Sequence, residues 1–452
     1  MITNNRLSQE QYEQNFSDIH PPYETKDAAL VEANRCLFCY DAPCTKSCPT
    51  GINVPKFIKQ ITTDNVKGSA HTIFLSNIMG AGCSKVCPVE KLCEGACVYN
   101  LMEEEAISIA KLQRYSTEIA MKKGWQLFDR KKSTGKKVAV VGAGPAGLSC
   151  AHVLSREGID VTVYEKEAKG GGLMTYGIAA YKVTPQFCED EVNYILGIGG
   201  IEIKYNQELG KNLPAGRQGI SLAELQKNYD AVYLGIGVGL ARQLEIPGEE
   251  LEGVEDAIKF IYDIREKGYD KVAVGDKVAV IGMGMTAIDA ATQAKRLGAK
   301  EVTLVYRRTE NEKPCTQVEL DIAKLDGCKI IWLAAPKEVK GNNGKVNELV
   351  CSVMKLGEPD ASGRRSPVDT GETFSLHVDM VIKAAGQMPF EDLVNSNELE
   401  NNNGKLVIDN EAATNIKGVF AGGDAVNGGK EVVDAVQAGK DGAAAIIKFI
   451  FS

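Results

Sequence analysis

KVAVVGAGPAGLSCAHVLSREGIDVTVYEKE, residues 137–167, decides the fold. A β-branched run enters Gly142-x-Gly144-x-x-Gly147, an apolar helical pattern follows, and a second short strand, VTVY, ends at Glu165. The glycines permit a tight turn and close approach of backbone to a pyrophosphate at the helix N-terminus, and the acid accepts ribose hydroxyls. Pro145, Ala146 and Lys166 flank these positions and belong to the same expected contact set. Strand, turn, helix and acid in register specify a dinucleotide-binding βαβ unit. A lone GxGxxG would not.

The pattern returns 140 positions later as KVAVIGMGMTAIDAATQAKRLGAKEVTLVYRRTE, residues 277–310. Gly282, Gly284 and Ala287 take the places of Gly142, Gly144 and Gly147, with Thr286 in the same turn. Aligned on the shared Val-Tyr, Arg307 stands where the first copy has Glu165. An acid suits a free 2′-hydroxyl, whereas arginine suits a 2′-phosphate through charge-assisted bidentate bonds. The first site is therefore expected to take FAD and the second NADPH, with Arg308 and Lys313 sharing the phosphate. Glu310 and Glu312 nearby keep NADH possible.

Near the C-terminus, GVFAGGDAVNGGKEVVDAVQAGKDG, residues 418–442, places Gly422, Gly423 and Asp424 after a short strand and before a long helical pattern. This resembles the flavoproteins with two dinucleotide-binding domains. In that family the counterpart of Asp424 bonds the ribityl and phosphate region, and the next helix aims its positive end at the flavin ring. Because this segment completes the first nucleotide domain, the second must be inserted within it. GGGLMTYGIAAYK, residues 170–182, is expected to pass under the flavin: Gly171 and Gly172 allow close approach, Leu173 follows them, and Lys182 is a candidate catalytic neighbour.

Thirteen cysteines are many for a cytoplasmic chain, and eight fall between residues 36 and 97. In a reducing compartment this clustering indicates metal rather than disulfides. CLFCYDAPCTKSCP, residues 36–49, reads CxxCx4Cx3CP, and Cys83, Cys87, Cys93 and Cys97 form a second group. The Cys-Pro endings are similar to the ferredoxin run whose last cysteine serves the other of two clusters. Zinc would favour paired CxxC knuckles or cysteine with histidine, and the four histidines are dispersed. Two iron–sulfur clusters with eight thiolates follow from spacing alone. Cys150, Cys188, Cys315, Cys328 and Cys351 read as small core residues.

The chain of 452 residues is 44% apolar and 25% charged with a net charge of −8, which suits a multidomain globular protein. No basic, aromatic-interleaved run offers a nucleic-acid groove, and no apolar run approaches a membrane span, so neither nucleic acid nor membrane is an expected partner. The polar N-terminus carries no secretory pattern, and a cytoplasmic location is expected. GxSxG, HExxH and Walker loops are absent.

From the cysteines through AGGD, the whole chain resembles the electron-input half of dihydropyrimidine dehydrogenase, and the similar small subunit of glutamate synthase. DAPCTKSCP (41–49) and EEAISIAKLQRYSTE (104–118) carry the first likeness, with Gln113 at that family's glutamine ligand position. Lys182 in GIAAYK and KLGEPDASGRR (355–365) lean toward glutamate synthase. The resemblance implies that Cys36, Cys39, Cys44 and Cys97 hold one 4Fe-4S cluster, and that Cys48, Cys87, Cys93 and Gln113 hold the other, leaving Cys83 free. NLPAGRQGIS, residues 212–221, fits neither family and reads as a surface insertion.

The expected fold is α/β: an α-helical domain binding two 4Fe-4S clusters (1–132), a Rossmann-like FAD domain (133–245 and 386–452) and an inserted NAD(P)H domain (246–385). Electrons would run from NADPH through FAD and the clusters to a partner within a hetero-oligomer. That partner would be an FMN and iron–sulfur catalytic subunit reducing uracil or thymine or, alternatively, the glutamate synthase large subunit. A stand-alone NADPH–ferredoxin reductase or diaphorase is a third reading, and a purely structural metal module a fourth.

Overall fold

The computed structural model describes residues 1–210, 218–359 and 365–452. Residues 212–217 of the expected insertion and 360–364 of the glutamate synthase-like stretch lie outside them. The chain divides into two compact units: residues 1–18, 176–181 and 239–388 form one, and 19–175, 182–238 and 389–452 the other.

In the larger unit the fingerprint strand Lys137–Val141 pairs in parallel with Asp160–Tyr164 on one side and Ala231–Leu234 on the other. Ile201–Lys204 and Val419–Ala421 complete a five-stranded parallel sheet. Val138 to Val141 are all buried, as a strand covered on both faces requires, so the apolar run is continuous rather than alternating. Val419–Ala421 reaches its place beside Ala231–Leu234 from beyond the other unit's residues, so that unit is an insertion in the sequence.

The C-terminal helix Val432–Phe451 packs on the fingerprint helix Pro145–Arg156. Gly439 makes this possible, because a Cβ there would stand 2.1 Å from the Ala146 carbonyl oxygen. No described helix is long and apolar enough to cross a membrane.

The same unit holds the cysteine module, a group of short helices. Side-chain caps start several of them: Thr25 accepts from Ala28 N, Asn53 from Lys56 N, and Asn65 from Gly68 N. Their apolar faces meet in a core containing Phe57, Ile58, Ile61 and Leu112, against which Cys36, Cys44, Cys48 and Cys93 pack.

In the smaller unit Lys277–Ile281, Glu301–Tyr306, Lys329–Trp332, Met380–Lys383 and Val254–Asp256 form a second five-stranded parallel sheet. Lys277–Ile281 repeats the burial pattern of Lys137–Val141, exposed at its lysine and buried thereafter. A three-stranded antiparallel meander, from Ala334–Asn342 to Arg365–His377, is attached.

Residues 1–18, grouped by sequence with the cysteine region, belong to this smaller unit. Thr3 bridges Val274, Arg6 pairs with Asp276 at 2.5 Å, and Phe16 stacks on Tyr269 at 4.0 Å. Tyr12 and Phe16, one helical turn apart, enter its core and anchor an otherwise polar segment.

Candidate functional site

The first fingerprint is tightly assembled. Gly142 has φ +100°, and a Cβ there would lie 2.4 Å from the Gly235 carbonyl oxygen. At Gly147 a Cβ would lie 1.9 Å from the Gly142 carbonyl oxygen, which is how the helix approaches the strand so closely. The helix begins at Pro145 with Gly144 as an N-cap that supplies no side-chain bond. Its first-turn amides, Ala146 and Gly147 among them, suit a pyrophosphate.

Glu165 is buried; its carboxylate accepts from Ala143 N (2.7 Å) and Glu167 N (2.8 Å). One bond per oxygen leaves acceptor capacity for ribose hydroxyls. Burial raises its pKa, and the two amide bonds oppose the rise. Lys166 beside it lies over the Phe390 ring at 4.7 Å.

Two distant segments converge on this turn. Gly172 has φ +56°, and a Cβ there would be 2.8 Å from Gly144 Cα, while Gly171 N donates to Ala143 O at 2.7 Å. Leu173 starts the short helix that follows. On the other side Gly423, φ +73°, abuts Ala146, where an added Cβ would come within 3.0 Å. Asp424 accepts from Lys430 N at 3.1 Å and has its pKa raised by burial. Val432–Phe451 begins without a side-chain cap, a positive helix end suited to an electron-rich ring. Lys182 is buried rather than on the surface.

The second fingerprint repeats the turn, with Gly282 at φ +134° and an uncapped helix Met285–Arg296 that includes Thr286 and Ala287. The alignment on Val-Tyr needs correction. Val141 pairs with Tyr164 but Ile281 pairs with Val305, so Tyr306 holds the register of Glu165, and Arg307 that of Lys166. The cause is the turn before the strand, four residues (297–300) where the first copy has three (157–159). Arg307 is exposed, whereas Arg308 is buried with Nε donating to Arg365 O at 3.1 Å. The Glu312 carboxylate turns back to cap Thr309, and Lys313 donates to Glu310 O at 3.4 Å.

In the cysteine module Cys36, Cys39, Cys44 and Cys97 line one cavity with Val54, Ile58 and Ile107. Burial first, then the neighbouring Cys36, pushes the Cys44 thiol up to about 11. No three Cys, His or carboxylate side chains among the described residues stand as a single-ion site; the four cysteines are instead among the residues lining one cavity. Four soft donors around an apolar cavity fit an iron–sulfur cluster.

Cys48, Cys87 and Cys93 form the second group, in which Cys83 hydrogen-bonds Cys87, and this bond, burial and the other thiols push the Cys87 pKa well up. Gln113 is buried, and its amide nitrogen donates to Gly80 O at 2.5 Å, at the start of the helix that carries Cys83. That orientation reserves the amide oxygen for another partner. Both candidates for the eighth ligand border the same helix.

Glu191 went unnoticed in the sequence. It sits on Pro185–Leu196 and accepts from Gly82 N at 2.7 Å. A Cβ at Gly82 would meet the Glu191 carboxylate at 2.4 Å and Met174 at 2.5 Å. The signal was available, since Glu191 shares a helical face with Cys188, Val192 and Ile195.

Burial pushes the Glu191 carboxyl up from 4.5 to about 7 against bonds from Gly82 and Ala81 and the charge of Lys85. A raised folded pKa means that folding takes up a proton between these values, so stability falls as pH rises through that window. The penalty is absent below about pH 4.5 and fully present above about pH 7, of the order of 3 kcal/mol. Glu191→Gln is expected to flatten this slope, raising the thermal midpoint at about pH 8 and changing it little at about pH 5. Parallel pH–stability curves for the two proteins would refute the assignment.

Two nucleotide folds sharing one chain with a thiol-lined module define the class: a flavin- and NAD(P)H-dependent oxidoreductase with an iron–sulfur domain. Residues 136–439 match the pyridine nucleotide-disulphide oxidoreductase model, and residues 12–125 the model of dihydropyrimidine dehydrogenase domain II, 4Fe-4S cluster. The chain belongs to the pyridine nucleotide-disulphide oxidoreductase family.

It is 33% identical to the small chain of NADPH glutamate synthase of Escherichia coli (strain K12), over 96% of this chain and 94% of that one. It is 34% identical to the PreT subunit of NAD-dependent dihydropyrimidine dehydrogenase of Salmonella typhimurium (strain LT2), over 97% and 98%. FprA of Mycobacterium tuberculosis, solved in complex with NADPH, has the same fold over 70% of this chain and 85% of its own, at TM-score 0.57 and 22% identity.

Proposed function

We propose that the chain is the electron-input subunit of a two-component reductase, taking electrons from NADPH and delivering them singly to a catalytic partner. The observation that carries this reading is the seam inside the larger unit. Residues 170–174 lie on the phosphate turn at Gly144, and Met174 and Glu191 pack on Gly82 in the helix bearing Cys83.

Bound FAD would accept hydride and release its electrons one at a time, and bound clusters would carry them onward. Gly142, Gly144, Pro145, Ala146, Gly147, Glu165, Lys166, Gly172, Leu173, Gly423 and Asp424 would hold FAD. Cys48, Cys87 and Cys93 with Gln113 would hold the cluster beside the flavin seam, and Cys36, Cys39, Cys44 and Cys97 the other. Lys182, buried shortly beyond the loop on the phosphate turn, would adjoin the reacting ring. Gly282, Gly284, Thr286, Ala287, Arg307 and Arg308 would hold NADPH.

The favoured partner is an FMN and iron–sulfur subunit that reduces uracil or thymine to the dihydropyrimidine, on the strength of Gln113 and its bond beside the cysteine helix. Glutamate synthase is the second reading, supported by Lys182 and by an identity as high as that to PreT. Anaerobic isolation from the native cells with mass spectrometry of the co-purifying chain tests both. A barrel-sized flavin subunit supports pyrimidine reduction, a very large amidotransferase supports glutamate synthesis, and no partner together with ferredoxin reduction supports a stand-alone reductase.

Nucleotide choice is tested separately. Exposed Arg307 is expected to meet the 2′-phosphate, so Arg307→Glu should raise KM for NADPH about tenfold or more while changing KM for NADH about twofold or less. Equal changes would remove the phosphate assignment.

A further inference from the structure

One cation of the flavin half reaches the cysteine module. Lys440 lies two turns inside Val432–Phe451, the helix whose uncapped start adjoins the Asp424 segment. Its Nζ donates to Ser76 O at 2.7 Å, at the C-terminal end of Val66–Ser76. From Ser76 the contacts continue to Cys48: Ser76 Oγ reaches Gly51 O at 3.5 Å, and Gly51 N donates to Cys48 O at 2.9 Å. The ammonium is half-buried; burial lowers its pKa, and the charges of Asp441 and then the Cys48 thiol oppose the shift. Asp441, next in sequence, is exposed and held by Gln437 at 2.7 Å. The neighbours that act on Cys87 and Cys93 are other thiols and Glu94, all of one sign when ionised.

We infer that Lys440 is a positioning residue for electron transfer, a fixed cation that raises the reduction potential of the cluster held through Cys48. The inference rests on the reading of Cys48 as a cluster ligand. Reduction adds one electron from the flavin to an already anionic centre and makes or breaks no bond. A partly desolvated positive charge lowers the cost of that added charge far more than one in water would. The same side chain ties the helix facing the flavin to the module that receives the electron, so the potential is set where the two meet.

The test is an anaerobic redox titration of the full-length, cluster-loaded protein by electron paramagnetic resonance, with Lys440→Met and Lys440→Arg beside wild type. Lys440→Met is expected to lower the equilibrium constant for reducing one cluster about tenfold, about 59 mV for one electron, and Lys440→Arg to stay within about threefold of wild type. The affected signal should be the one that Cys87→Ser abolishes. Unchanged potentials in Lys440→Met with both clusters present would overturn the inference and reduce Lys440 to a structural tie. If Lys440→Met loses the cluster, its recovery at the wild-type potential in Lys440→Arg supports a charge role, and loss in both variants overturns it. A wild-type protein without any cluster signal would instead remove the ligand reading itself.

Discussion

Gly147→Ala is expected to yield a chain that purifies without flavin. The added Cβ would stand 1.9 Å from the Gly142 carbonyl oxygen and 3.1 Å from Val140 Cγ1, and the first of these is backbone of the phosphate turn itself. The helix must move off the strand, which carries the Ala146 and Gly147 amides out of line with a pyrophosphate and disturbs Gly423, packed on Ala146. Overpacking of this kind costs about 1–3 kcal/mol in a yielding core, and more where backbone is the obstacle.

The second fingerprint supplies the control, because Ala287 already occupies the equivalent position and its Cβ lies 3.4 Å from where a Cβ on Gly282 would be. Ala287→Gly should leave flavin content untouched. Flavin absorbance per chain after anaerobic purification reads both variants, and a Gly147→Ala protein with a full complement of flavin would show that the turn does not carry the cofactor.

The second large effect is expected at the cysteine seam. Cys87→Ser should lose one cluster, with iron content falling by half, and delivery to the catalytic partner should stop. Reduction of ferricyanide by NADPH should persist, because that acceptor takes electrons at the flavin. The same two readouts assign the eighth ligand. Gln113→Ala is expected to disturb the cluster lost in Cys87→Ser, whereas Cys83→Ala leaves both intact, since Gln113 is held at Gly80 with its oxygen uncommitted. Loss of the cluster in Cys83→Ala and not in Gln113→Ala would make the hydrogen bond between Cys83 and Cys87 a trace of shared ligation and restore an all-thiolate set.

Both nucleotide folds were legible because their signals are local. A βαβ unit writes its turn, helix and ribose residue within about thirty positions, and neither copy depends on a distant partner to be recognised. The grouping of Cys97 with Cys36, Cys39 and Cys44 is not local. The Cys-Pro endings indicate that ligands cross between the two runs, but they do not say which cysteine crosses. The family resemblance names Cys97, and the cavity has these four among its lining residues.

Where a reading depended on pairing it slipped. Arg307 looked equivalent to Glu165 because the Val-Tyr letters matched, but the sheet register gives that place to Tyr306. Residues 1–18 look polar and unattached until Tyr12 and Phe16 find the core of the inserted unit.

The sequence by itself determined the chemistry: two dinucleotide turns, one with an acid and one with arginines after it, and eight thiols in two runs. Tertiary structure decided which distant groups meet. Glu191 meets Gly82 across 109 positions and Lys440 meets Ser76 across 364. A polar group taken out of water needs a hydrogen-bond partner, and where that partner is a distant backbone group, as for Glu191 and Lys440, it leaves no periodicity in either segment.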